Sequence, residues 1–131
     1  MIVNFHKSEE IGAFSSLHHV TFEENKNWNL SLLHFICKFK HNLDQSGIYQ
    51  LSSNLIQRDD GNIHRALFYM YLEKGTNHVD ITPTQSYKYK LRLYEISSAE
   101  FSFCLLKTQE IIPISEAAFQ LDIVESYGRF Q

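Results

Sequence analysis

The chain has 131 residues and a mass of 15.4 kDa, with 44% hydrophobic and 21% charged residues, which excludes a disordered polymer and fits one globular domain spanning 1–131. Twelve Lys and Arg against fifteen Asp and Glu leave a formal net charge of −3, without the basic footprint expected of a dedicated nucleic-acid binder. Two cysteines exclude a disulfide framework, and no stretch approaches the roughly 20 apolar residues that a membrane-spanning helix needs.

The first residues, MIVNFHKSEE, lack the basic start, apolar run and small-residue cleavage site of a secretory signal. The expected location is therefore cytoplasmic, with Cys37 and Cys104 reduced. Glycine and proline are scarce (5 and 2), whereas Phe (10) and Tyr (7) are abundant, a bias that favours strands and contact surfaces. An AT-rich coding sequence would produce the same skew.

Residues 1–7 alternate as a short strand. Ser8, followed by Glu9 and Glu10, reads as a helix N-cap with acids in the first turn, and Ile11, Phe14 and Leu17 continue at helical spacing. Leu17 to Phe22 reads as a strand and 24–27 as a polar turn. Trp28 to Lys40 fits either period, but the alternation Cys37-Lys38-Phe39-Lys40 favours a strand, with Leu33, Phe35, Cys37 and Phe39 on one face.

After a turn over 42–47, Tyr49, Leu51, Ser53 and Leu55 share one face of the next strand. Asp59-Asp60-Gly61-Asn62 is a hairpin-turn signal. Ile63 to Leu72 is apolar on both faces and reads as a central strand, with a buried helix as the competing reading. Val79 and Ile81 form a short strand that Pro83 ends. From Tyr87 to Ile96, Tyr89, Leu91 and Leu93 oppose Lys88, Lys90 and Arg92. Phe101, Phe103 and Leu105 line the following strand. Residues 116–127 open with helix formers but also place Phe119, Leu121 and Ile123 at strand spacing, so both readings stand. The expected fold is a β-rich α+β domain, an antiparallel sheet or sandwich with one or two short helices.

Motifs that would carry chemistry are few. His18 and His19 point apart on either a strand or a helix, and His34 with Cys37 fits a metal only on a helix. No nucleophile elbow and no family signature surrounds Cys37 or Cys104, so both read as small core hydrophobes. Glycine-rich phosphate loops are missing, and Asp59-Asp60-Gly61 lacks the spaced acids of a calcium loop. A metal-free nuclease would need scattered groups such as His64, His78 and Lys90 to converge.

Charge asymmetry remains. Glu9, Glu10, Glu23 and Glu24 gather early, Asp59, Asp60, Glu73 and Asp80 lie around mid-chain turns, and Lys88, Lys90 and Arg92 lie on one strand. Solvated faces account for this most simply, but an acidic surface also suits a basic partner.

The expectation is a non-enzymatic protein-binding module that needs no cofactor or metal. Its most concrete form is a toxin-neutralising immunity protein that covers the active site of a nuclease-type toxin, with Glu23, Glu24, Asp59 and Asp60 as the partner-binding candidates. The expected partner is another protein, with neither nucleic acid nor membrane involved. The alternatives are a small acid–base enzyme or ligand-binding domain using its histidines, and an oligomeric structural protein.

Overall fold

The computed structural model describes residues 1–8, 14–56, 65–84, 88–91 and 95–126. Eleven strands follow in order: β1 (Ile2–Lys7), β2 (Phe14–Thr21), β3 (Asn27–Phe39), β4 (Gly47–Ser53), β5 (Arg65–Leu72), β6 (His78–Ile81), β7 (Tyr89–Lys90), β8 (Glu95–Ala99), β9 (Phe101–Leu105), β10 (Glu110–Ile112) and β11 (Ile114–Ser126). Among the described residues all pairings are antiparallel. The larger sheet runs β6-β3-β11-β1-β2-β8, with β7 also on β3; the smaller runs β10-β9-β4-β5.

The expected helices are not found among the described residues. Phe14–Thr21 is a strand paired with β1 and β8, so the helical spacing of Phe14 and Leu17 does not decide their state, while 9–13 lie outside the described residues. The open question at 116–127 resolves as strand β11 up to Ser126, with every second residue from Ala117 to Ile123 buried; 127 lies outside the described residues. Burial of one face at period two outweighs the mild helix propensity of Glu116, Ala117 and Ala118. Among the described residues no helix is long and apolar enough to cross a membrane.

The spine is the β3–β11 pair, two thirteen-residue strands in register from Ile114 opposite Phe39 to Ser126 opposite Asn27. Two bulges interrupt it. Ser115 is the extra residue on β11, and its buried hydroxyl donates to the Lys38 carbonyl at 3.2 Å. Leu33 is the extra residue on β3, between His34 opposite Gln120 and Leu32 opposite Leu121. A bulge resets which side chains face inward. Leu30 and Leu32 are buried before it, and Phe35, Cys37 and Phe39 after it. Leu33 itself is half-buried, which corrects its placement on the same face as Phe35.

Aromatic rings join the two sheets. Phe101 stacks on Phe119, Phe5 meets Phe101 edge-on, and Phe35 touches both Phe68 and Phe103. The chain crosses between sheets at fixed corners. At Glu100, between β8 and β9, the Asn54 side-chain oxygen accepts from the Glu100 amide at 2.9 Å. Pro113 separates β10 from β11, and its carbonyl accepts from the Lys40 amide. The β5–β6 turn needs Gly75 at φ 94°, a left-handed conformation that costs glycine little. Its amide bonds to the carbonyl of buried Leu43, tying the β3–β4 loop to this turn.

Strand β5 corrects another expectation: it is the edge of the smaller sheet, not a central strand. Leu67, Met70 and Leu72 are buried, while Tyr69 and Tyr71 are exposed at 55% and 63%. Its second apolar face is thus turned to solvent. Tyr89 and Leu91 face inward, with Lys88 and Lys90 exposed, as the alternation from Tyr87 implies; 92–94 lie outside the described residues.

Candidate functional site: the outer face of the smaller sheet

Alternation places one set of side chains from β4, β5, β9 and β10 on the solvent side of the smaller sheet. The registers arrange them in rows. Tyr71 stands opposite Ile48, whose carbonyl accepts from the amide of Leu106. Tyr69 stands opposite Gln50, Gln50 opposite Cys104, and Cys104 opposite Ile111. Ser52 and Ser102 follow, their hydroxyls 2.9 Å apart. The face therefore grades from apolar to hydroxylic along the strands. Four strands at about 4.8 Å spacing make it roughly 15 Å wide.

Nine large hydrophobic side chains are exposed among the described residues, and five of them, Ile48, Tyr69, Tyr71, Leu106 and Ile111, lie on this face. Single exposed apolar residues are ordinary; a contiguous patch marks a contact surface. Glu110 stands opposite Leu105 and Leu105 opposite buried Tyr49, so this neighbouring row belongs to the inner side of the sheet. The carboxylates of Asp44 and Glu110 lie near Tyr49, whose phenol is pushed up from its ordinary range first by burial and then by these two charges. That hydroxyl donates to the Gln45 carbonyl at 2.7 Å, pinning the β3–β4 loop.

The outer face of the larger sheet differs. His6, Ala118, Ile36 and Asp80 form one cross-strand row, and Glu116, Lys38 and His78 another. His34 Nε2 and Asp80 Oδ1 are 2.5 Å apart. An open groove of about 360 Å³ is lined by residues that include Lys7, Ile36, Lys38, Glu116 and Ala118. Charges of both signs alternate across this surface, the pattern of a solvated sheet face.

The sequence-derived candidates separate. Glu23 and Glu24 are both exposed in the β2–β3 turn. Glu23 is bridged to Lys26 at 3.3 Å, and its carbonyl accepts the Trp28 indole N–H at 3.0 Å, so it also shapes the turn. Asp59 and Asp60 lie outside the described residues. Ile56, which precedes them, is bridged to Leu91, whose amide bonds to the Trp28 carbonyl close to the Glu23 turn.

Of the nuclease trio, His64 lies outside the described residues. His78 pairs with Lys38 and Lys90 with Asn29, nine positions apart on β3. At about 3.3 Å per residue this is about 30 Å, so these two do not converge. His34 is half-exposed on the outer side of β3, whereas Cys37 is buried on the inner side, and they share no site. Among the described residues no three His, Cys, Asp or Glu side chains form a metal-holding group.

Both cysteines are free. Burial pushes the Cys37 thiol up to about 12, opposed by the charge of Lys7, and burial also raises Cys104. Neither has the lowered pKa of an activated nucleophile.

The face built from Ile48, Tyr69, Tyr71, Leu106 and Ile111 leaves one trace in the sequence, the doubly apolar pattern of 63–72, which equally suits a strand buried on both faces. Compared with known protein families, curated proteins and solved structures, the chain matches none.

Proposed function

We propose that this chain is a protein-binding module and that the outer face of the smaller sheet is its contact surface. The observation that carries this reading is the clustering of Ile48, Tyr69, Tyr71, Leu106 and Ile111 on one solvent-facing side of the four-stranded sheet. Tyrosines with aliphatic neighbours form the usual core of a protein interface, and Gln50, between Tyr69 and Cys104, adds a hydrogen-bonding group within it.

The narrower version is a toxin-neutralising immunity protein that covers a basic active site. It draws on the exposed Glu23 and Glu24, of which Glu24 is the better candidate because Glu23 is already bridged to Lys26. The acid–base alternative has one specific observation in its favour, the His34–Asp80 pair on the open face of the larger sheet.

The test is co-expression with the product of the neighbouring gene, followed by co-purification, for the wild-type chain and for Ile48→Lys and Ile111→Lys. Rescue from a toxic product and a stable complex, both lost in the two variants, support the reading. Substrate turnover by the isolated chain that is abolished in Asp80→Asn moves it to the enzyme alternative.

A further inference from the structure

Four strand edges are open to comparison in the two sheets. Strand β6 has four residues and carries Asp80; β10 has three and runs into Pro113; β8 has five and begins at Glu95. Short length, charge and proline are the devices that keep sheet edges from pairing with other chains. Strand β5 has none of them. It is eight residues long, and from Ala66 to Leu72 it contains no charge, proline or glycine. Among the described residues it pairs with β4 alone. Its free side is interrupted, among the described residues, only at the Leu67 bulge, where the Leu67 carbonyl accepts the Tyr89 hydroxyl at 3.3 Å. Among the described residues, every second residue from Phe68 to Leu72 therefore turns its backbone N–H and C=O to the open side, where another strand would satisfy them in a regular ladder.

We infer that this edge pairs antiparallel with the β5 edge of a second copy of the chain, joining the two four-stranded sheets into one eight-stranded sheet. Two features select a second copy over an unrelated strand. Across a two-fold axis an uncharged strand meets itself without like charges opposed. The strand is also flanked by opposite charges in sequence, Arg65 at its start and Glu73 after its end, and antiparallel apposition sets the Arg65 end of each copy beside the Glu73 end of the other. The pairing uses the strand edge rather than the sheet face, so it goes beyond the binding function proposed above. It also brings the exposed Tyr69 and Tyr71 of both copies together and makes the two apolar faces continuous.

The experiment is sedimentation equilibrium of the full chain across the micromolar to submillimolar range. The wild type is expected to reach twice 15.4 kDa. The double variants Tyr69→Lys/Tyr71→Lys and Tyr69→Glu/Tyr71→Glu change only exposed side chains, and each places like charges across the axis, so each alone is expected to be monomeric. Their equimolar mixture is expected to recover a heterodimer, which a merely structural disruption would not do. Ile111→Lys, on β10 at the far edge, is expected to stay dimeric even where it abolishes partner binding, so the two proposals fail separately. In the wild type, exchange of the edge-facing amides, every second one between Phe68 and Leu72, is expected to accelerate on dilution. A monomeric wild type, double variants that remain dimeric, a mixture that stays monomeric, or concentration-independent exchange would each overturn the inference.

Discussion

Phe101 and Phe119 stack across the two sheets with ring centroids 4.2 Å apart and planes inclined by 4°. Phe101 begins β9 in the smaller sheet, and Phe119 lies mid-way along β11 in the larger one. The pair is 5% and 1% exposed, so it couples the contact face to the spine of the fold. Phe119→Ala removes this contact and the stacking on Phe35. The expected loss in urea or guanidinium melts is about 3–5 kcal/mol. Phe119→Leu, which retains most of the volume, is expected to lose clearly less.

Leu91 and Lys90 separate the faces of the strand at 89–91. Leu91 is 3% exposed and bridged to Ile56, while Lys90 is exposed. Leu91→Ala is expected to cost about 2–5 kcal/mol, and Lys90→Ala about 0.5 kcal/mol or less. Equal losses in denaturant melts would contradict the inward placement of Leu91.

Cys37 gives a pH dependence with a definite sign. Its thiol is raised in the folded chain from 9.0 to about 12, because burial disfavours the thiolate. Below pH 9 both states hold the proton and the stabilising effect is fully present. Above pH 9 the unfolded chain releases that proton while the folded chain keeps it, so stability falls by about 1.4 kcal/mol per pH unit until the folded thiol ionises near pH 12. Cys37→Ala is expected to lack this component of the slope, measured as the difference from the wild type in melts between pH 9 and 11. The same burial makes the native thiol slow to react. Under denaturing, non-reducing conditions two free thiols per chain are expected in a titration.

Glu24 and Glu23 test the electrostatic part of the account. Charge reversal at both is expected to slow association with a basic partner by about tenfold at low ionic strength and much less at high salt, with little change in dissociation. Stopped-flow mixing at several salt concentrations reads this directly. Reversal of Glu23 alone is expected to do less, because Lys26 already neutralises part of its field.

Much of the strand framework was legible because burial of one face imposes period two. The segments at 28–40, 78–81 and 101–105 follow it. Two features escaped for physical reasons. The bulge at Leu33 depends on the partner strand, since the extra residue is defined only against Gln120 and Leu121 of β11. No local pattern in 28–40 marks it, and Leu33 looks equivalent to Phe35. The exposed side of β5 escaped because Tyr69 and Tyr71 read as apolar, and apolar on both faces suggests two-sided burial. A contact surface carries the same signature as a buried one until the sheet order and the exposure of Tyr69 and Tyr71 show that no described element covers it. The helix expected at residue 8 onward rested on a good N-cap signal at Ser8, but from Phe14 pairing with β1 and β8 prevails.

The most direct test of the contact face is site-specific photo-crosslinking in cells that express the chain from its native locus. A photoreactive residue is placed at Ile48 or Ile111 on the smaller sheet, or at Asn4 or Gln120 on the outer side of the larger one. The expected result is one partner protein crosslinked from Ile48 and Ile111, absent from Asn4 and Gln120, and lost from Ile48 when Ile111→Lys is added. Crosslinking from Asn4 and Gln120 alone, or from none of the four, would contradict the assignment of the smaller sheet's outer face as the contact surface.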